Sequence, residues 1–178
     1  MESPRVTSEA SSAPLVDIDI DIVRIAGDWP VDETIDGLAR RVMTIAVEVA
    51  DIDLREDAEI CLVLSNDDHV RELNRDFRGK DKPTDVLSFP AAEGFETGDP
   101  LLGELVFAAE TVARDAAADD KPLFDHFTHL VLHGFLHLFG YDHESEEDAE
   151  EMERLEADVL ARLGIADPYR DRPLAEDA

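Results

Sequence analysis

Five of the six histidines in this 178-residue chain fall in one stretch: His126, His129, His133, His137 and His143. At about 100° per residue, His133 and His137 sit about 40° apart on one helix face, so both imidazoles can reach a single ion. Gly140 follows, and glycine takes positive φ without strain, so the chain can turn back and bring His143 to the same point. Three neutral nitrogens leave one tetrahedral position for water, the arrangement of a catalytic rather than a structural zinc. A lone histidine on an apolar helix is usually a satisfied core residue. Two of them four apart, with a third beyond the helix-ending glycine, point instead to a metal. His126 and His129 fall near the same face, and for His129 two roles stay open: orienting a ligand or simple burial.

The spacing H-x-x-x-H-x-x-G-x-x-H matches the zinc peptidases called metzincins at all but one position. Those enzymes need a glutamate directly after the first histidine as general base, and this chain has Gly134 there. The substitution argues against peptide hydrolysis. A second cluster is basic: Arg71, Arg75, Arg78, Lys80 and Lys82 stand close together in an acidic chain. Such a run alone is usually a solvated face. Beside a metal it becomes a place for phosphate. A planar guanidinium can hold two oxygens of a phosphate group, and Lys80 and Lys82 are candidate substrate-binding residues in such a cluster.

The elements that must position these residues follow from periodicity. Val16, Ile18, Ile20 and Ile22 alternate with aspartates, a half-buried strand; the three alternating acids lack the glycine turn and later glutamate of a calcium loop. Residues 31–50 read as a helix, 58–65 as a buried strand, and 66–76 as a short helix entered at Asn66 or Asp67. A loop spans 78–83, a strand 85–89, a loop 91–100, a strand 101–108 and a helix 111–118. A long apolar helix over 122–139 opens with a proline in its first turn and stops at Gly140. Residues 145–163 form the last helix, with Ser145 as N-cap and acids in the first turns, where the helix dipole favours them. The order implies an α+β fold in a single domain. A small mixed β-sheet is covered by helices, with a zincin-like three-histidine metal site on a C-terminal helix and the following turn. Residues 1–14 read as a loose tail, 15–166 as the domain and 167–178 as a polar tail.

Composition narrows the function further. The formal net charge is −28, and Lys80, Lys82 and Lys121 are the only lysines. That charge repels nucleic acid at long range and argues against a general RNA-coating protein. Cys61, inside an apolar run, reads as a core thiol rather than a nucleophile. No apolar stretch approaches the ~20 residues of a membrane span, and the N-terminus lacks the order of a secretory signal; a soluble, cytoplasmic protein is expected.

The segment His133-Gly-Phe-Leu-His-Leu-Phe-Gly-Tyr-Asp-His143 resembles the signature H-G-x-L-H-L-x-G-Y-D-H of the YbeY family, including glycine in place of glutamate. A second block, Arg78-Gly-Lys-Asp-Lys-Pro-Thr-Asp-Val-Leu-Ser-Phe-Pro90, is similar to another of that family. Leu102-Gly-Glu-Leu105 is a weaker match, since the family more often has aspartate after the glycine. The resemblance spans about residues 16 to 164. It implies a single-strand-specific, metal-dependent endoribonuclease in 16S rRNA 3′-end maturation and ribosome quality control. The cofactor would be one Zn²⁺ per chain, and the partners ribosomal RNA and the ribosome or its proteins. It carries the metal ligands onto His133, His137 and His143 and the functionally important arginine onto Arg78. The general base stays open: Asp142 and Glu144 are near the third ligand, and the RNA 2′-hydroxyl can equally be the nucleophile. Two other readings remain, a non-catalytic ribosome assembly factor stabilised by its metal and a metal-dependent hydrolase of another substrate.

Overall fold

The computed structural model describes residues 15–91 and 100–170. The segments 1–14 and 171–178, and most of the 91–100 loop, lie outside the described residues. In chain order the elements are β1 (Asp19–Arg24), α1 (Asp32–Val49), β2 (Glu59–Ser65), α2 (Asp67–Arg78), β3 (Val86–Pro90), β4 (Leu101–Ala108), α3 (Ala109–Ala118), α4 (Leu123–Leu138) and α5 (Glu146–Arg162). The four strands form one mixed sheet in the order β1-β2-β4-β3. β1, β2 and β4 run parallel, and β3 pairs antiparallel along the far side of β4.

β1 begins three residues later than the alternating pattern predicts. The Val16 amide donates to Thr44 Oγ1 (2.9 Å) and the Ile18 carbonyl accepts from Arg40 (2.7 Å), so this stretch is tied to α1 instead of to β2. β2 is apolar almost throughout because the sheet is covered on both faces. On one face Ile60, Leu62, Leu64, Leu105 and Phe107 pack against α1, α4 and α5. On the other, Val63, Leu87 and Val106 meet Val70 and Leu73 of α2. Cys61 is half-buried beside that second face, and burial, with Glu104 and Asp21 nearby, pushes its thiol up to about 11. It is a packing residue and no nucleophile.

α4 occupies the middle of the larger core. Phe127, Val131, Leu132, Phe135 and Leu136 are all buried, so most of its circumference is apolar. Its approach to the sheet is close: a Cβ on Gly134 would stand 2.8 Å from Leu105 Cδ2. The glutamate that a peptidase base requires has no room there. Gly140 (φ +95°) ends the helix, with the Tyr141 amide returning to the Leu136 carbonyl at 3.3 Å. This Schellman-type reversal points the following residues back toward the helix. α5 then starts at Ser145, whose hydroxyl accepts from the Asp148 amide at 3.0 Å.

α2 starts at its Asn66 cap, whose side chain accepts from the His69 amide at 3.0 Å. It runs two residues beyond the predicted end. Gly79 (φ +73°) provides the left-handed cap, and its amide returns to the Arg75 carbonyl at 3.1 Å. Arg78 therefore stands on the last turn of a helix and not in a free loop. Among the described residues, no helix is long and apolar enough to cross a membrane.

Candidate metal centre

The turn after α4 brings the third histidine back to the first two. His133, His137 and His143 each offer a ring nitrogen, all within 4.8 Å of one another. The Nε2 atoms of His133 and His137 face each other at 3.1 Å. The His143 ring lies nearly parallel to that of His133 (19°) and steeply inclined to that of His137 (75°).

The opposite ring edges are held. His137 Nδ1 meets the Tyr141 carbonyl at 2.7 Å, and His133 Nδ1 meets Glu156 Oε2 at 2.6 Å. A carbonyl can only accept, so Nδ1 of His137 carries the proton and Nε2 offers its lone pair. The Glu156 carboxylate imposes the same tautomer on His133. Fixing the outer nitrogen of a ligating histidine in this way is how metal sites orient their imidazoles. Burial, with His133 and His143 nearby, holds the His137 ring down to about 4, so it is neutral at ordinary pH. Convergent imidazoles whose outer nitrogens are engaged elsewhere fit a divalent metal ion.

Glu156 is 0 % exposed. Burial opposes its charge, but His133 beside it and the hydrogen bonds from His129 and His133 outweigh that and hold its carboxyl well below the usual range. His133 is pushed the other way: burial disfavours its charge, and Glu156 more than restores it. His129 Nε2 bonds Glu156 Oε1 at 2.8 Å, and Tyr169 Oη donates to the same oxygen. His129 therefore braces the carboxylate that braces His133 and is more than a buried packing residue. His129, His133 and Glu156 also form a ligand-capable group, but those atoms already satisfy one another.

The three histidines line a cleft of about 620 Å³, and Arg78 and Phe77 from α2 line it too. β3 forms one wall, tied to α4 by the Ser88 hydroxyl donating to the Gly134 carbonyl at 3.1 Å. The basic cluster separates into two kinds. Arg71 pairs with Asp81 (2.8 Å) and Arg75 with Asp76 (3.2 Å), both on the surface. Arg78 makes no ion pair with a described residue and faces the cleft. Lys80 and Lys82 are on the loop beyond Gly79 and are not among the residues lining it. Phe77 is 67 % exposed, edge-on to Phe89 at 5.4 Å.

A family model for endoribonuclease YbeY matches residues 25–164. The chain belongs to the YbeY family. It is 44 % identical over 164 residues to the endoribonuclease YbeY of Sinorhizobium fredii, covering 88 % of this chain and 94 % of that one. It is 47 % identical to the endoribonuclease YbeY of Rhizobium meliloti, covering 88 % and 97 %. Among solved structures it is similar to the solution structure of TM1509 from Thermotoga maritima. The TM-score is 0.55 at 26 % identity, covering 81 % of this chain and 88 % of that one. The α+β fold with its mixed sheet and histidine cluster is thus a YbeY-family fold.

In this YbeY-family chain, sequence reasoning missed Glu156, Tyr169 and Phe77. Glu156 left a signal: it falls on the face of α5 shared by the buried Met152, Val159 and Leu160, where a charged residue calls for a partner. Tyr169 left none, since it lies in a segment that reads only as polar tail. Asp142, weighed earlier as a base, accepts from the Glu144 amide at 3.2 Å and shapes the turn that carries His143.

Proposed function

We propose that this chain is a single-strand-specific, metal-dependent endoribonuclease that acts on ribosomal RNA, in 16S rRNA 3′-end maturation and ribosome quality control. His133, His137 and His143 hold one zinc ion, and Arg78 is the catalytic cation. The observation that carries the reading is the convergence of three imidazoles, two of them fixed at their outer nitrogens, and a guanidinium without an ion pair among the described residues on a single cleft. When bound, zinc supplies Lewis acidity toward a phosphoryl oxygen. Arg78 binds the non-bridging oxygens and meets the charge that grows on them as the phosphorus is attacked. Glu156 and the Tyr141 carbonyl keep two imidazoles in the ligating tautomer. Phe77 presents a ring to the nucleobases of an unpaired strand, which favours single-stranded over duplex RNA. Lys80 and Lys82, just outside the cleft, serve phosphates further along the strand.

The test is to purify the untagged protein, measure its metal, and follow cutting of single-stranded ribosomal RNA. Wild type is expected to carry about one zinc per chain and to cut. His137→Ala loses both. Arg78→Ala keeps the zinc and cuts about 10²–10³-fold more slowly, as for loss of one transition-state donor. Bound metal with no cutting by wild type, and unchanged ribosome association in Arg78→Ala, would overturn this in favour of an assembly factor.

A further inference from the structure

A second cavity of about 410 Å³ adjoins the histidine centre, between α3 and the first half of α4. Asp85, at the entry to β3, and Asp115 on α3 bring carboxylate oxygens within 4.8 Å of each other there. Two carboxyl groups so close share either a proton or a cation. His126 decides between these. It is 6 % exposed, and both of its ring nitrogens are buried without a hydrogen-bond partner. Its Nε2 lies 4.0 Å from Asp85 Oδ2, beyond hydrogen-bond reach. An imidazole buried with both nitrogens unsatisfied is costly and calls for a ligand.

We propose that Asp85, Asp115 and His126 form a second divalent-cation site, separate from the three-histidine centre. One ligand atom from each already lies within 4.8 Å of the other two. The cavity leaves room for water to complete the coordination. Its wall carries three carboxylates, Asp85, Asp115 and Asp119, against the single ammonium of Lys121, so one divalent ion balances the local charge. Two carboxylates and one imidazole are harder ligands than three imidazoles. This site favours a manganese-type ion, and the other favours zinc. Asp85 and His133 line both cavities, so the second ion sits behind the wall of the cleft. There it clamps the start of β3 to α3 and α4.

The experiment is metal titration of the intact protein, with zinc first loaded to one equivalent and Mn²⁺ then added. Binding is read from the loss of free Mn²⁺ paramagnetic resonance and from elemental analysis. Wild type is expected to take one Mn²⁺ per chain beyond its zinc. His126→Ala and the isosteric Asp115→Asn weaken that binding at least tenfold and keep the zinc. His137→Ala loses the zinc and keeps the Mn²⁺. Should His126→Ala fail to fold, Asp115→Asn, whose side chain is only half-buried, decides the matter. No manganese beyond the first metal, or manganese lost with His137→Ala and retained in Asp115→Asn, overturns the second site.

Discussion

Glu156→Gln keeps the shape of the side chain and removes its charge. In the folded protein that carboxylate accepts from three groups: His129 Nε2 at 2.8 Å, His133 Nδ1 at 2.6 Å, and Tyr169 Oη. A glutamine offers one acceptor oxygen and two N–H donors in the same volume. If its amide nitrogen faces His133, that ring must present a lone pair at Nδ1. The proton then moves to Nε2, the atom that faces His137, and a ligand is lost. If the amide oxygen faces His133, the nitrogen opposes His129 and Tyr169. Replacing such an outer partner typically costs 10–100-fold in metal affinity, or about 1.4–2.8 kcal/mol. Zinc affinity is measured by competition with a chromophoric chelator, with circular dichroism to confirm the fold. Tyr169→Phe serves as the graded control: it removes one donor, leaves the carboxylate, and is expected to cost less than tenfold. A folded Glu156→Gln protein that binds zinc within about twofold of wild type would refute the claim that Glu156 sets the His133 tautomer.

Three further outcomes are expected. Phe77→Ala raises KM for single-stranded RNA by the equivalent of about 1–3 kcal/mol per stacked base, while Phe77→Tyr stays near wild type; equal KM values in all three proteins would remove the stacking role. Gly134→Ala is destabilising by about 1–3 kcal/mol because its Cβ meets Leu105 at 2.8 Å, and a denaturant melt matching wild type would show that Leu105 yields freely. In the metal-free protein His137 titrates at about 4 against an ordinary 6.5. Between those values the unfolded chain binds the extra proton, so this group's contribution to stability is present above 6.5 and lost as pH falls toward 4. Replacing it in His137→Gln is expected to flatten the fall in melting temperature over that window, and an unchanged slope would show that burial does not hold the ring neutral.

The clustering of the three histidines was legible because it depends on local geometry. A spacing of four on a helix and a glycine that reverses the chain place His133, His137 and His143 within a few residues of one another, and nothing distant has to be known. The α+β order was legible for the same reason, since each element carries its own periodicity. What stayed hidden is tertiary. β1 starts at Asp19 because Thr44 and Arg40, more than twenty residues away, claim Val16 and Ile18. Glu156 reaches His133 across 23 positions, and its role exists only once α5 packs on α4. The five basic residues between Arg71 and Lys82 look equivalent in the chain. Folding separates them, because Asp76 and Asp81 engage two of the arginines and the capping turn at Gly79 leaves Arg78 facing the cleft.

That separation bears on how so acidic a protein engages RNA. At a formal −28, the field within about a Debye length of the surface, about 10 Å at 0.1 M salt, repels a polyanion. Capture cannot rest on the many lysine and arginine contacts that make ordinary nucleic-acid binding strong and steeply salt-dependent. On the proposed function the attraction is short-ranged, from the Arg78 guanidinium, the exposed Phe77 ring and the bound metal. A metal on three neutral imidazoles would bring its full positive charge to the cleft. Glu156, the carboxylate nearest those ligands, is 0 % exposed and matched by His129, His133 and Tyr169, so its charge is spent inside the protein. The acids Glu146, Glu147 and Asp148 are placed at the N-terminus of α5, where the helix dipole absorbs part of their field. With a metal bound, the cleft would be a local positive site in a negative envelope, suited to a strand already delivered to it.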